Sequence, residues 1–394
     1  MPIEMVGQVG RETKGDLREA LRHAHSSFSV YHRLFREAGI SSDDLVHRDP
    51  VALLHRIQPL DERRLHELAD ETITAADQII DMETSSGTTG LRKRRVITER
   101  DDASETQTLA ELFRICGINS ADRVACVDTG PLTLMVSLTR ALDSLRVTES
   151  YAFCATPYAN ATVDQLAVLD PTVIITVPTI LERCLGALKR RFGMTPRPSL
   201  SKIIYVGEQL SEQTRSLLTG SLKVEVFGYY GASETSALGI ECPDHQGIHI
   251  LTDRNIIEVA ISQPGGGTGE ILVTTLQQEG FPLIRYAPRD VIEVKGGACS
   301  CAAQRYPRVE VKGRVDGTVS VLGVKVSHRT ILDAVYPSVE AARPIEIVLT
   351  SNGHEKLTIV LPERLASDES KIRSSLMGRE PDLGYLVSSG FLWL

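Results

Sequence analysis

Short apolar segments alternate with longer amphipathic ones through the middle of the chain. The apolar segments have the length of single strands and begin at Arg123, Val173, Lys202 and Lys223. The segments between them carry apolar residues at helical spacing. Strands that are apolar on both faces need helices on both sides of their sheet, and helical crossovers connect parallel strands. The pattern therefore predicts an α/β fold in which a mostly parallel sheet is flanked by helices.

The regions on either side of this segment have different patterns. We expect helices from the N-terminus to about residue 80. From about residue 240, strands follow one another across Gly and Pro turns without helices between them, which is typical of a meander or a small β-barrel. We therefore predict a large N-terminal domain over residues 1–313, with a β-rich subregion at 240–313. A small, shortened α+β C-terminal lobe is predicted over residues 314–394.

The composition is that of an ordinary globular protein. The net charge of −8 argues against a surface for nucleic acid or for an anionic membrane. The sequence has no apolar run of about 18 residues that would predict a membrane span, and its first residues have no secretory-signal pattern. We expect a cytoplasmic protein without a nucleic-acid or membrane partner. Its oligomeric state stays open, and a homodimer is one alternative.

A run rich in Ser, Thr and Gly extends from Thr84 to Gly90 and leads into the basic residues Arg92 and Lys93. Glycines allow backbone N–H groups to converge on one anion, and hydroxyls and cations add further hydrogen bonds. The run lacks the Gly-Lys-Ser/Thr ending of a Walker A loop. It predicts a phosphate-binding loop, and a flexible linker is the alternative. The candidate residues are Ser85, Ser86, Gly87, Thr88, Thr89 and Gly90.

Four further motifs follow this loop along the chain. They are Gly207-Glu208-Gln209-Leu210, Tyr230-Gly231-Ala232-Ser233-Glu234, Leu283-Ile284-Arg285-Tyr286-Ala287-Pro288-Arg289-Asp290 and Gly313-Arg314-Val315-Asp316-Gly317. Together with the loop, they resemble the motifs of adenylate-forming enzymes of the acyl-CoA synthetase superfamily, and in detail those of the phenylacetate-CoA ligase branch. The resemblance covers residues 84 to about 326.

The resemblance implies ATP and Mg²⁺ as cofactors and CoA as a candidate acceptor. Glu234 would be the magnesium ligand, since Mg²⁺ prefers oxygen ligands. Asp290 would hold the ribose, and Arg314 the ribose or a phosphate. The candidate catalytic residues are Thr88, Lys93, Glu234 and Arg314. The implied nucleotide-binding residues outside the loop are Gly207, Glu208, Tyr229, Tyr230, Gly231, Ala232, Ser233, Glu234, Asp290 and Arg314.

Each of these assignments has a plainer alternative. The alternative for Glu234 is a surface residue after a turn. The alternative for Asp290 is a salt bridge to Arg285 or Arg289. Tyr229 or Tyr230 offers a flat face on which adenine can stack, and a core tyrosine is the alternative there.

The chain departs from the family pattern in two places. The family has a lysine near the C-terminus that reaches the reacting carboxylate, whereas no lysine follows Lys371 here. Another cation, such as Arg92 or Lys93, is then the candidate replacement, and slow adenylation is the alternative. The Gly-rich, aromatic segment expected between Asp128 and Ala155 is also missing, so we expect a different acid pocket. Asp316-Gly317 is the expected hinge of the small lobe, with an ordinary hairpin turn as the alternative.

Cysteines and histidines cluster at two places in the β-rich subregion. The candidate metal ligands are Cys242, His245, His249, Cys299 and Cys301. Thiolates with one imidazole are a donor set that Zn²⁺ takes in tetrahedral structural sites. Some phenylacetate-CoA ligases resemble this chain in carrying such a site. We predict a structural Zn²⁺ and leave open which histidine completes it, with free thiols as the alternative.

Three functions fit these observations. The first is ATP-dependent activation of a carboxylic acid, with an aryl acid as the natural expectation, followed by transfer to CoA or a carrier thiol. The second is a stand-alone adenylase of secondary-metabolite biosynthesis, phenazine-type antibiotics included, which passes its acyl-AMP to a partner without CoA. The third is a nucleotide-binding protein that has lost catalysis, which the intact Glu234, Asp290 and Arg314 argue against.

Overall fold

The computed structural model describes residues 2–75, 79–85, 93–128, 133–155, 159–192, 199–261, 267–315, 319–321, 324–326, 331, 334, 346–351, 355–360, 369–379, 381–389 and 392–393. These residues form two compact units, each built from segments that are separate in the sequence. The first unit takes its residues from Met1–Ser85, Arg92–Ile118 and Tyr229–Val315, and the second from Asn119–Gly228 and Asp316–Leu394. The chain thus passes from the first unit to the second close to the predicted domain boundary after residue 313, which stays a prediction.

Helices and strands alternate along much of the chain. The helices are α1 (Arg11–Ser27), α2 (Ser29–Glu37), α3 (Ser42–His47), α4 (Pro50–Leu54), α5 (Glu62–Ala75), α6 (Glu99–Ile115), α7 (Thr133–Ser144), α8 (Ala159–Leu169), α9 (Pro178–Phe192), α10 (Glu212–Ser216), α11 (Glu369–Arg379) and α12 (Pro381–Ser388). The strands are β1 (Ile3–Met5), β2 (Ile79–Ser85), β3 (Lys93–Thr98), β4 (Arg123–Asp128), β5 (Glu149–Cys154), β6 (Val173–Thr176), β7 (Lys202–Tyr205), β8 (Glu225–Ala232), β9 (Ser236–Glu241), β10 (Ile248–Ile250), β11 (Asn255–Ile261), β12 (Thr268–Thr275), β13 (Asp290–Lys295), β14 (Arg308–Arg314), β15 (Val319–Val321), β16 (Val324–Val326), β17 (Glu346–Ser351), β18 (Glu355–Val360) and β19 (Leu392–Trp393).

An N-terminal layer of helices covers part of the first unit. In α1, Leu17, Leu21 and Ala24 are buried at helical spacing, so one face of the helix belongs to the core. These side chains share one apolar cluster with residues of α2, α4 and α5 and with the segment that includes Phe281 and Ile284. The layer therefore packs against the chain just before Tyr286.

The sheet of the first unit has the strand order β1-β11-β12-β13-β14-β10-β9-β8, with β8 contributing its second half. β11 to β14 are consecutive antiparallel neighbours, so the predicted meander is confirmed. The register sets Asp290 opposite Arg314 and His249 opposite Arg308. Residues that are far apart in the sequence thus become neighbours through strand pairing.

The second unit contains a parallel sheet in the order β5-β4-β6-β7, completed by the first half of β8. Helices α7 to α10 separate these strands along the chain. The predicted parallel α/β arrangement is confirmed. The sequence did not predict β5, because β5 is the edge strand and its partly exposed side chains give no continuous apolar run.

The C-terminal part of the second unit mixes short strands with helices, as predicted for an α+β lobe. β15 and β16 form a hairpin, and β17, β18 and β19 form a three-stranded sheet. The sequence near Ser327 to Val335 predicts a helix, and most of these residues lie outside the described part of the chain. Helix α11 was not predicted, although it buries Ile372 and Leu376.

None of the helices in the described part of the chain combines the length and the apolar character needed to cross a membrane.

Candidate functional site

Glu234 lies in the tight loop between β8 and β9. Ala232 pairs with Ser236, so the loop contains three residues, and Ser236, directly after the loop, has a left-handed conformation (φ 58°). The backbone N–H of Ala232 donates to Thr235 Oγ1 at 3.1 Å. Glu234 is only 5% exposed. The loop geometry thus turns this carboxylate inward, unlike a surface residue after a turn.

Gly231 must be a glycine for this hairpin to form. A Cβ at Gly231 would lie 2.4 Å from the carbonyl oxygen of Ser236. Real Cβ atoms do not approach a backbone oxygen so closely, so any larger residue would displace the loop that carries Glu234.

Tyr286 orients the Glu234 carboxylate. Its hydroxyl donates to Glu234 Oε1 at 2.7 Å, and its ring is buried. Burial raises the pKa of Tyr286 well above its usual value, and the negative charge of Glu234 adds to the rise, so the phenol keeps its proton and donates. The sequence did not predict this role, since Tyr286 was noted only as part of the motif that ends at Asp290.

The residue before Tyr286 is fixed by a buried ion pair. Arg285 has a left-handed conformation (φ 52°) and donates to both carboxylate oxygens of Glu258, at 2.8 and 3.0 Å. It also donates to the carbonyl oxygen of Ile57 at 2.5 Å. Breaking a buried pair of this kind costs about 3–5 kcal/mol. The backbone that presents Tyr286 is therefore rigidly placed.

Asp290 is held by a tyrosine and an arginine. The hydroxyl of Tyr230 donates to Asp290 Oδ2 at 2.9 Å. Arg314 Nη1 lies 3.4 Å from Asp290 Oδ1 and donates to the carbonyl oxygen of Pro288 at 2.8 Å. The predicted ribose ligand and the predicted cation are thus in contact, because β13 and β14 pair with these two residues opposite each other.

The two arginines proposed as alternative partners of Asp290 have carboxylates of their own. Arg285 pairs with Glu258, as described above, and Arg289 Nη1 lies 3.3 Å from Glu270 Oε1. The ion pair that forms at Asp290 is with Arg314.

Of the two candidate adenine-stacking tyrosines, Tyr230 is buried and Tyr229 is partly exposed. Burial raises the pKa of Tyr230, and the charge of Asp290 raises it further, so its hydroxyl stays a donor. Burial also raises the pKa of Tyr229, with Glu105 as the next contribution. A stacking role for either ring stays a prediction.

The predicted phosphate loop is carried by the β2–β3 pair. Residues 86–92, which include Thr88, lie outside the described residues, while the backbones of Ser85 and Lys93 face each other in the pair. Arg95 in β3 anchors the pair by ion pairs to Glu105 of α6 and to Glu83 of β2.

Glu83 connects this pair electrostatically with the Glu234 loop. Burial raises the pKa of Glu83 and Arg95 opposes the rise, whereas the negative charge of Glu234 is one of those that add to it. The charge of Glu234 is thus one part of the electrostatic environment of Glu83.

Gly207 and Glu208 lie in the second unit, directly after β7. Gly207 has a left-handed backbone (φ 79°). Glu208 Oε2 accepts hydrogen bonds from the backbone N–H and the hydroxyl of Thr179, at 3.2 and 2.8 Å. Glu208 therefore caps the start of α9. Its predicted contact with a nucleotide stays a prediction.

The cysteine and histidine residues of the β-rich subregion form one cluster in the first unit. Its members are Cys242, His249, Cys299 and Cys301, and their ligand atoms all lie within 4.8 Å of one another. The distance from Cys242 Sγ to Cys299 Sγ is 3.6 Å, and that from Cys301 Sγ to His249 Nε2 is 3.3 Å. A tetrahedral zinc site would give about 3.8 and 3.5 Å for these two distances. The donor set and spacing therefore fit Zn²⁺.

His249 is the histidine of this cluster, and His245 is not part of it. Nδ1 of His249 lies 3.0 Å from the carbonyl oxygen of Tyr306, which places the proton on Nδ1 and leaves Nε2 facing the thiols. Burial lowers the pKa of His249, so the ring is neutral, as a ligand must be. His245 sits in the preceding turn with φ 51°.

One known protein family matches most of this chain. Residues 12–275 match the family model described as AMP-binding enzyme. The chain belongs to the AMP-binding enzyme family. It is 24% identical over 352 residues to the phenylacetate-coenzyme A ligase of Pseudomonas putida, covering 86% of this chain and 78% of that protein. Identity to the Escherichia coli (strain K12) enzyme of the same name is 23% over 351 residues, with the same coverage.

Two solved structures share this fold. A 2-hydroxyisobutyryl-CoA ligase in complex with 2-HIB-AMP and CoA gives a TM-score of 0.77 at 18% identity, covering 93% of this chain and 82% of that one. An amide bond synthetase from Marinactinospora thermotolerans gives a TM-score of 0.53 at 13% identity, covering 96% and 90%. The predicted phenylacetate-CoA ligase-like branch is confirmed, and the chain is an adenylate-forming enzyme of the acyl-CoA ligase type.

Proposed function

We propose that this enzyme activates a carboxylic acid with ATP, releases pyrophosphate, and transfers the acyl group from acyl-AMP to CoA. The observation that carries the proposal is the pair of tyrosine-held carboxylates, Glu234 with Tyr286 and Asp290 with Tyr230. Activation requires in-line attack of the acid on the α-phosphate, so catalysis rests on positioning and on charge stabilisation. Carboxylates that are already oriented can position the nucleotide and can hold the cation that stabilises its charge.

Each carboxylate has a distinct role in the proposal. Glu234 would hold Mg²⁺, which neutralises charge on the phosphate oxygens when it is bound with ATP. Asp290 would accept hydrogen bonds from the ribose hydroxyls. Arg314, which already contacts Asp290, would donate to the ribose or to a phosphate. The hydroxyl of Tyr286 keeps the Glu234 carboxylate in one orientation, so little reorganisation is needed when nucleotide arrives.

The Ser/Thr/Gly loop would bind the β- and γ-phosphates, with Thr88 as its central hydroxyl. Lys93, at the start of β3, is the candidate cation for the reacting carboxylate. Support for the loop comes from its flanking strands, which Arg95 anchors to each other and to α6.

We also propose that the cluster of Cys242, His249, Cys299 and Cys301 holds a structural Zn²⁺. Four protein ligands leave no open position, so the ion would serve stability and not the acid chemistry. Burial raises the pKa of Cys242 to about 12, so its thiol must lose a proton when metal binds.

The acid is expected to carry an aryl group, because curated relatives that match 86% of this chain are named phenylacetate-coenzyme A ligases. The missing Gly-rich, aromatic segment predicts that the pocket for this acid differs from theirs. The test is pyrophosphate release over a panel of aryl and short aliphatic acids, each with and without CoA. We expect release with an aryl acid and a CoA thioester as product. Release without any thioester would instead favour a stand-alone adenylase, and no release with any acid would favour a nucleotide-binding protein without catalysis.

A further inference from the structure

Arg308 is a buried arginine at the start of β14, where it pairs directly with His249 of β10. We infer that Arg308 is the positioning residue of the metal site, because it ties together the chain segments that carry the four ligands. The inference rests on the zinc site proposed above and adds a residue that is not itself a ligand.

The hydrogen bonds of Arg308 reach both cysteine-bearing loops. Nη1 donates to the backbone carbonyl and the side-chain oxygen of Gln246, at 3.1 and 2.9 Å. Nη2 donates to the carbonyl oxygens of Gly296 and Gly297, at 2.8 and 3.0 Å. Gln246 lies in the loop between Cys242 and His249, and the two glycines lie just before Cys299 and Cys301. One guanidinium therefore fixes the spacing of both loops.

The charge of Arg308 also suits the proposed metal site. Zn²⁺ with three thiolates and a neutral imidazole carries a net charge of −1. All four hydrogen-bond acceptors of Arg308 are neutral carbonyl oxygens, so no carboxylate cancels its charge through these bonds. Arg308 and Cys299 line the same cavity. A buried cation beside a buried anionic site lowers the cost of burying each of them.

A second arginine of the same loop region provides a matched comparison. Arg305 is three residues earlier, its side chain is 64% exposed, and it pairs with Glu111 at 3.2 Å. Its hydrogen bonds go to Glu111 and Tyr306, and none goes to the loops that carry Cys242 or Cys299. Arg305 thus shares the local sequence context of Arg308 without its contacts.

The test compares zinc affinity of the full chain in the wild type and in Arg308→Lys, Arg308→Gln and Arg305→Gln. Zinc content is measured first, and the dissociation constant is then found by competition with a chromogenic chelator. We expect Arg308→Gln to raise the zinc Kd about 10- to 100-fold. Arg308→Lys keeps the positive charge but loses the two-pronged guanidinium. Its zinc Kd should lie between that of Arg308→Gln and that of the wild type. Arg305→Gln should match the wild type.

A further variant guards against misfolding of the Arg308 proteins. Gln246→Ala removes one acceptor of Arg308 at an exposed position, and it should speed zinc release to the chelator a few-fold. The inference is overturned if the wild type binds zinc and Arg308→Gln releases zinc at the wild-type rate and with the wild-type Kd. If Arg308→Gln does not fold, the same outcome in Gln246→Ala overturns the inference. A wild type without zinc would instead remove the proposed metal site itself.

Discussion

Two polar groups occupy opposite ends of the β13–β14 pair in the first unit. Asp290 and Arg314 face each other at one end. At the other end Arg308 begins β14 and pairs with His249 of β10, and Cys299 follows β13. The length of β14 separates the two ends by about 20 Å. The pair therefore connects a candidate nucleotide site with a candidate metal cluster.

The two ends are held in different ways. At the nucleotide end, hydroxyls of Tyr286 and Tyr230 orient carboxylates whose ligand comes and goes with substrate. At the cluster end, backbone carbonyls and Arg308 fix thiols and an imidazole around a position for a resident ion. A site that binds and releases substrate needs oriented side chains and an open path to solvent. A structural metal site can be enclosed by protein ligands on all sides. The following predictions test this contrast.

The largest effect is expected for Glu234→Gln. Glutamine keeps the shape and can still accept from Tyr286, but it loses the charge that would bind Mg²⁺. Pyrophosphate release should fall on the order of 100- to 1,000-fold, while thermal stability stays near that of the wild type. Glu225→Gln, at an exposed position of β8, is the control and should be fully active. A near-normal rate in Glu234→Gln at saturating Mg²⁺ would remove Glu234 from this role.

Removal of zinc should act mainly on stability. If zinc is present at about 1,000 times its Kd, chelation costs about 4 kcal/mol of unfolding free energy. Thermal or urea unfolding with and without chelator measures this loss. The double variant Cys299→Ser/Cys301→Ser should be destabilised and insensitive to chelator, whereas Cys154→Ser, outside the cluster, should behave as the wild type. An equal melting temperature with and without chelator would contradict a structural metal.

A smaller and more specific effect is expected for Tyr286→Phe. The change removes one hydrogen bond to a charged group, which is worth about 1.5–3 kcal/mol. The Mg²⁺ concentration needed for half-maximal pyrophosphate release should rise about tenfold, and MgATP should stabilise the protein less in thermal unfolding. Tyr306→Phe, which loses a hydroxyl contact to Asp253 at the cluster end, is the control. If both variants shift the Mg²⁺ dependence equally, the orienting role of Tyr286 is wrong.

The smallest effect is expected for Tyr230→Phe. Asp290 would lose the tyrosine hydroxyl but keep its contact with Arg314. We expect the KM for ATP to rise a few-fold with little change in kcat, since the ribose is bound equally in the ground and transition states. Initial rates at varied ATP measure the split. A large fall in kcat at unchanged KM would show instead that Tyr230 acts on the reacting groups.

Local patterns predicted the architecture well. The apolar runs from Arg123 to Phe227 predicted the parallel sheet, and the Gly and Pro turns after residue 240 predicted the meander. The edge strand β5 was missed because its residues are partly exposed and give no strong pattern. Secondary structure is thus predicted best where buried elements have a regular spacing of apolar residues in the sequence.

Spatial partners were harder to predict than motifs. Nothing in the sequence states that β13 pairs with β14 so that Asp290 faces Arg314, because register depends on non-local packing. For the same reason, spacing did not decide between His245 and His249, and the link from Tyr286 to Glu234 was missed. Residues 86–90, the core of the predicted phosphate loop, stay a prediction from sequence.

Tyr31 of α2 has a consequence for the order in which the protein can be made. Its hydroxyl donates to the carbonyl oxygen of Pro282 and accepts from the N–H of Ile284, residues 251 and 253 positions later. At a synthesis rate of about 5–20 residues per second, the ribosome needs roughly 12 to 50 s to deliver that segment. The N-terminal helices would meanwhile expose the apolar faces that later cover it, which makes the nascent chain a natural client for chaperones during translation.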